Sequence, residues 1–201
     1  MISKEREYRN LTIERRSEGN TEEKDYTVRG YASTFEPYVL FSSDGVDYSE
    51  VIDPNAFREA DMSDVIFLFN HEGMVHARLK NGTLKVSTDE HGLLVEADLS
   101  STTQSRELFE AINSGLVDQM SFAFTVSKDA YDKDTHTRKI LRIGKVYDVS
   151  AVSIPANPST DIAAVSARDY FNGVIEMEKA ERLEREKQLA LAKAKFNYVK
   201  E

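Results

Sequence analysis

The chain has 201 residues, 40% of them hydrophobic and 30% charged, with a formal net charge of −9 and no cysteine. That length suits one domain with an appendage, and the lack of cysteine excludes disulfides, thiolate metal sites and a cysteine nucleophile. The acidity speaks against a nucleic-acid binder working through a basic surface; no apolar run nears the roughly 20 residues of a membrane helix, and MISKEREYRN lacks the apolar centre of a signal peptide, so a cytoplasmic protein is expected.

YRNLTIER and DYTVRGYASTF, within residues 7–35, are rich in β-branched and aromatic residues and read as strands, with SEGN (17–20) as the turn between them. Residues 36–50, with Pro37 and Asp44-Gly45, read as a loop. Asp53 before Pro54 looks like a capped helix start, which predicts a short helix over 54–60. VIFLFNH (65–71) is a continuous apolar run of strand length, so both of its faces are expected to be covered. Asn81-Gly82 and His91-Gly92 are two hairpin signals, flanking TLKVST. Over 103–114 a helix is predicted: Thr102 or Thr103 can cap it, Leu108, Phe109 and Ile112 share a face, and Gly115 sits where a C-terminal glycine belongs. Strands return at 118–127 and 139–154 around the polar loop KDAYDKDTHT, and the prolines of PANPST (155–160) end the last one.

These segments predict a mainly β fold with helices (β+α), a small barrel or closed sheet with helices packed outside. The globular part is expected over 1–165 and a charged helical tail over 166–201. From Val174 onward seven Lys/Arg face six Asp/Glu, so the tail is +1 and the remainder −10. EMEKAERLEREKQLALAKAK consists of strong helix formers. Its apolar seam of Ala180, Leu183, Ala190 and Ala194 is interrupted by Lys187 and is too thin for a coiled coil. It reads as a solvated helix able to dock on a partner, or else as one that packs along its own domain.

Three residues could carry chemistry. In DQMSFAF (118–124), strand alternation puts Met120, Phe122, Phe124 and Val126 on one face and Ser121, Ala123 and Thr125 on the other. His71 continues the parity of Val65, Phe67 and Phe69. Asp148, in KVYDVSAVSIP, shares parity with Val146, Ser150, Val152 and Ile154, where a carboxylate is costly unless paired. A serine hydroxyl needs a base to take its proton, and the base works best when a third group fixes its tautomer. The residue types alone leave plainer readings open. Ser121 can be a small residue at a crowded spot, His71 can be satisfied locally, and Asp148 can pair with Arg142. Metal binding fits poorly, because His71 and His76 are five apart and no HExxH occurs.

In their order, RGYASTF (29–35), VIDPNAF (51–57), FLFNH (67–71), NGTLKVSTDEHGLLVEADL (81–99), INSGLVDQMSFAF (112–124) and YDVSAVSIPANPST (147–160) resemble the prohead (procapsid maturation) serine proteases of tailed bacteriophages, relatives of herpesvirus assemblins. The likeness covers about residues 25–165. It implies a prohead protease domain over 1–165, with His71 as general base, Ser121 as nucleophile and Asp148 as the acid that orients His71. It also implies a small closed β-barrel flanked by helices, with Ser121 facing outward among small residues and an extended peptide pairing along an exposed strand. This sequence departs from the family pattern in three places. Asp148 stands where Glu is common and Ala123 where Gly is common. Val75-His76-Ala77-Arg78 replaces a common Leu-Gly-Arg, which leaves Arg78 unassigned and His76, with His91 and His136 behind it, as an alternative third member. The implied substrates are the scaffolding protein or the scaffolding segment of the major capsid protein, with self-cleavage of the tail, in the immature procapsid within the bacterial host cytoplasm. A homodimer is implied, with no cofactor, nucleic acid or membrane. The competing class is a non-catalytic scaffolding or capsid-assembly protein of the same fold.

Overall fold

A computed structural model describes residues 7–12, 25–153 and 163–198. In chain order its strands are β1 (Glu7–Thr12), β2 (Thr27–Thr34), β3 (Tyr38–Ser43), β4 (Val46–Ile52), β5 (Ile66–Phe69), β6 (Glu72–Arg78), β7 (Leu84–Thr88), β8 (Gly92–Asp98), β9 (Gln119–Asp132) and β10 (Thr137–Val152). The helices are α1 (Thr103–Asn113), between β8 and β9, and α2 (Ala163–Tyr198). The chain divides into two compact units, Met1–Ser166 and Ala167–Glu201. Among the described residues no helix is long and apolar enough to cross a membrane.

The fold is mixed α+β and mostly sheet, with β10 as its spine. One edge of β10 pairs antiparallel with β9 along most of its length. The other edge is divided: Thr137–Ile140 pair in parallel with β4, and Asp148–Ala151 pair in parallel with β5. β1 lies antiparallel against the far side of β9, β3 against β4, and β6 against β5. A second sheet has the order β2-β8-β7. Among the described residues these pairings form two sheets and not the ring of pairings that closes a barrel. Between the sheets, Phe67, Leu93, Val95, Phe122, Phe124 and Val149 join Leu108 and Ile112 of α1 in one core. Each such side chain contributes about 1.5–3 kcal/mol by burial. The α1 expectation is met in detail: Thr102 caps it by accepting from the Ser105 N–H, and Gly115 takes a left-handed φ of 78°.

Several local expectations are corrected. Residues 36–50 are not a loop but the β3–β4 hairpin. It turns on Asp44-Gly45 with φ of 52° and 78°, the positive pair that a two-residue turn matching strand twist requires. β3 is half-exposed on both faces, so it lacks the apolar alternation that marks a strand. The helix over 54–60 is absent. Asp53 Oδ1 does accept the Asn55 N–H (3.0 Å), but the following bonds run in three-residue steps, Ala56 to Asp53 and Ala60 to Phe57. Main-chain groups of this segment bond β10 instead, through Ile143 N–H to Ala56 O, Asp61 N–H to Gly144 O and Val146 N–H to Asp61 O. They fill the gap between β4 and β5, and this tertiary pairing outweighs local helix formation.

Asn81-Gly82 closes a single 3₁₀ turn, not a hairpin, because β6 pairs with β5 while β7 pairs with β8. The chain changes sheets there. The hairpin at His91-Gly92 does form, between β7 and β8. KDAYDKDTHT is mostly strand, since β9 runs on to Asp132 and β10 starts at Thr137. β1 and β2 take β9 and β8 as their partners. SEGN and PANPST lie outside the described residues.

Arg138 shows why the polar stretch can be strand. Its guanidinium is fully buried and donates to Glu7 from both terminal nitrogens (2.8 and 3.1 Å), to Glu50 (3.3 Å) and, through Nε, to Asp129 (2.7 Å). Burial alone lowers its pKa, but the charges of Glu7 and Glu50 outweigh that and hold it above the ordinary arginine value. One cation thus ties β1, β4, β9 and β10 together. Removing one partner from a buried ion cluster strands the others without compensation. Arg138→Met is therefore expected to lower unfolding free energy by about 3–5 kcal/mol, read from the urea midpoint at unchanged slope.

Candidate active site

His71 does not reach its place by strand parity. β5 stops at Phe69, which pairs with Glu72, and Asn70-His71 form a two-residue turn with φ of 53° and 60°. Both values are left-handed, a region where Asn and His are among the better tolerated non-glycine residues. The turn is fastened to the end of β10. Asn70 N–H donates to Ala151 O (2.9 Å), and Asn70 Oδ1 accepts the Ser153 N–H (3.0 Å). The Asn70 side-chain amide in turn donates to Ser153 Oγ (3.2 Å). The His71 backbone is thereby pinned between β5 and β10.

Ser121 and Asp148 are brought together by register. On the β9–β10 ladder Ser121 lies opposite Ser150, and Ala123 lies opposite Asp148. Val146, however, lies opposite Phe124, so two steps on β10 match one on β9 and Tyr147 is the extra residue of a bulge. The bulge corrects the parity drawn from sequence. Val146 joins the core with Val149 and Ala151, whereas Asp148 turns to the other face with Ser150 and Ser121. The small Ala123 methyl beside it leaves room for the carboxylate.

The three predicted residues meet at one point. His71 Nδ1 lies 2.6 Å from Asp148 Oδ1, and His71 Nε2 lies 2.7 Å from Ser121 Oγ. Asp148 is only 4% exposed, so its negative charge depends on hydrogen-bond donors. A proton on Nδ1 directed at Asp148 leaves the Nε2 lone pair facing the Ser121 hydroxyl, which is the arrangement that lets a neutral imidazole withdraw a serine proton. A fourth residue, which the sequence reading missed, joins them. Ser150, fully buried, donates to Asp148 Oδ1 (2.9 Å) and lies 3.2 Å from His71 Nδ1. Its position two residues from Asp148 on one strand face was the available signal.

Two expectations about access change. Ser121 stands on the face away from the core, yet it is 1% exposed, while the His71 side chain is 18% exposed. Nor is β9 an open edge at the serine, because Asn10 of β1 pairs opposite Ser121.

The remaining candidates lie elsewhere. His76 Nδ1 is 3.2 Å from Ser105 Oγ at the start of α1, and burial holds its pKa below the usual histidine value. The exposed His91 packs edge-on to Tyr31, and His136 Nδ1 lies 3.0 Å from the Tyr131 hydroxyl. Arg78 pairs with Asp64, which holds that carboxylate well below its ordinary range, and Arg142 pairs with Glu59 (3.0 Å) instead of Asp148.

Known proteins supply an independent comparison. The family described as caudovirus prohead serine protease matches residues 11–173. The chain belongs to that family. The prohead protease of Enterobacteria phage HK97 is 28% identical over 157 residues, covering 76% of this chain and 69% of that protein. No solved structure matches. Membership in the prohead serine proteases makes this chain a hydrolase of phage capsid maturation.

Two outcomes follow for this family member. Asn70→Ala loses left-handed tolerance and the Ser153 bonds, and should lower stability by about 1–3 kcal/mol in thermal or urea unfolding. For His76, the unfolded chain binds the proton more readily than the folded one. Its contribution to stability is present above the ordinary histidine value of 6.5 and is lost as pH falls through the lower folded value. His76→Gln should flatten the fall in melting temperature between neutral and mildly acidic pH.

Proposed function

We propose that the chain is a serine endopeptidase of procapsid maturation in which Ser121 is the nucleophile, His71 the general base and Asp148 the acid that orients it. The observation that carries this reading is the unbroken line of contacts from Asp148 Oδ1 through the His71 ring to Ser121 Oγ, at 2.6 and 2.7 Å. Ser121 Oγ attacks the scissile carbonyl while its proton passes to His71 Nε2. Asp148 stabilises the imidazolium, which then protonates the leaving amine. A water molecule repeats the sequence on the acyl-enzyme and releases the new carboxylate.

Burial of Ser121 requires the site to open before a peptide carbonyl reaches Oγ. This suits an enzyme that is to act only when enclosed with its substrate. The substrates are the scaffolding protein or the scaffolding segment of the major capsid protein, cleaved inside the immature shell in the host cytoplasm. The tail is a self-cleavage target and the working form a homodimer. A non-catalytic assembly protein would have no need for a serine, an imidazole and a buried carboxylate in line, so the contacts favour the enzyme.

Ser121→Ala, co-expressed with the capsid precursor, should leave the precursor uncut and the chain itself unshortened by intact mass. Loss of such a nucleophile costs on the order of a millionfold in kcat. Cleavage at the parent rate by that variant would sink the assignment.

A further inference from the structure

We infer that Ser150 is a positioning residue for the reaction, acting through Asp148 to fix the His71 tautomer; this rests on the reading of Ser121, His71 and Asp148 given above. Ser150 is fully buried and lies on the Nδ1 side of the ring, whereas the accepting Nε2 faces Ser121, so it is not a second nucleophile for this base. It touches both members of the pair that prepares the base, 2.9 Å from Asp148 Oδ1 and 3.2 Å from His71 Nδ1.

A hydroxyl has a single proton to give, and the geometry decides where it goes. With the Nδ1 proton pointed at Asp148 across 2.6 Å, Nδ1 cannot accept. The Ser150 proton therefore points to Oδ1, so that one carboxylate oxygen receives two donors. The carboxylate cannot rotate away from His71 without also breaking the Ser150 bond. If the ring turned to its other tautomer, with the proton on Nε2, Asp148 Oδ1 would lose the imidazole donor while 4% exposed. Ser150 thus disfavours the unproductive state by holding the carboxylate aimed at Nδ1.

Register fixes where Ser150 stands. It faces Ser121 directly across the β9–β10 ladder and lies beside Leu68 of β5, so its backbone is held from both neighbouring strands. The bulge at Tyr147 is what places Asp148 and Ser150 on this face together. An aspartate reaches less far than a glutamate, and a fixed donor beside it keeps the shorter side chain aimed at the ring.

The test uses the full chain and a peptidyl diphenyl phosphonate. In the labelling step Ser121 Oγ bonds to phosphorus, the P–O bond to phenoxide breaks, and the hydroxyl proton passes to His71. Ser150→Ala should lower the limiting labelling rate by about 10- to 100-fold, the worth of a hydrogen bond to a charged group, with unchanged reagent affinity. Ser150→Thr, which keeps the hydroxyl, should restore most of that rate. The Nδ1 proton resonance of His71, read by NMR without any reagent, should move in Ser150→Ala and stay in Ser150→Thr. Where alanine or threonine packs badly, Ser150→Cys serves, with its weak thiol donor giving an intermediate rate. An alanine variant that labels at the parent rate, or a threonine variant as slow as alanine, overturns the inference. Ser121→Ala and His71→Ala provide the separate check: labelling that survives them defeats the triad reading itself, whatever Ser150 does.

Discussion

A carboxylate enclosed between two β-strands is the constraint on which the site depends. In water Asp148 would be solvated at no cost, but at 4% exposure its charge must be met by donors fixed in the protein. The His71 ring and the Ser150 hydroxyl meet it, and both bond the same oxygen. Satisfying that charge orients the imidazole, and the oriented imidazole then confronts Ser121. In the proposed triad, the demand for satisfaction and the demand for reactivity are answered by one set of contacts.

The backbone devices that bring these groups together are small and local. A one-residue bulge at Tyr147 turns Asp148 out of the core, and a two-residue turn at Asn70-His71 projects the ring over the neighbouring strands. Around them β10 serves as a common rail, shared by β9 on one edge and by β4 and then β5 on the other. The segment 53–61 fills the interval between β4 and β5, so the rail is continuous where its partners are not.

How much of this was legible depended on how local the cause was. α1 could be read because cap, apolar face and terminal glycine all lie within a dozen or so residues. Ser121, His71 and Asp148 were legible as chemistry, yet the geometric argument for two of them failed. His71 sits in a turn and not on a strand, and a bulge interrupts the alternation before Asp148. Bulges and turn conformations answer to tertiary pairing and leave little trace in side-chain periodicity. The β3–β4 hairpin carried its Asp-Gly signal openly, but two half-exposed faces hid β3, the strand leading into it. Strand character in KDAYDKDTHT was hidden by charge, because the partner that makes Asp129 acceptable there, Arg138, lies nine residues on. Ser150 passed unnoticed because a buried serine is legible only once its neighbours are known.

The brevity of the Asn70-His71 connection also bears on how such a chain can diversify. A single inserted residue there would shift the ring by roughly the 3.3 Å rise of an extended residue, more than the whole span of either of its contacts. Length variation is thus closed off at this point of the molecule. It remains open at the distant four-residue connection between β9 and β10, which can lengthen or recompose without touching the chemistry. Descendants of this scaffold would be free to acquire new surface features at one end of the β9–β10 pair while the other end stays frozen in size.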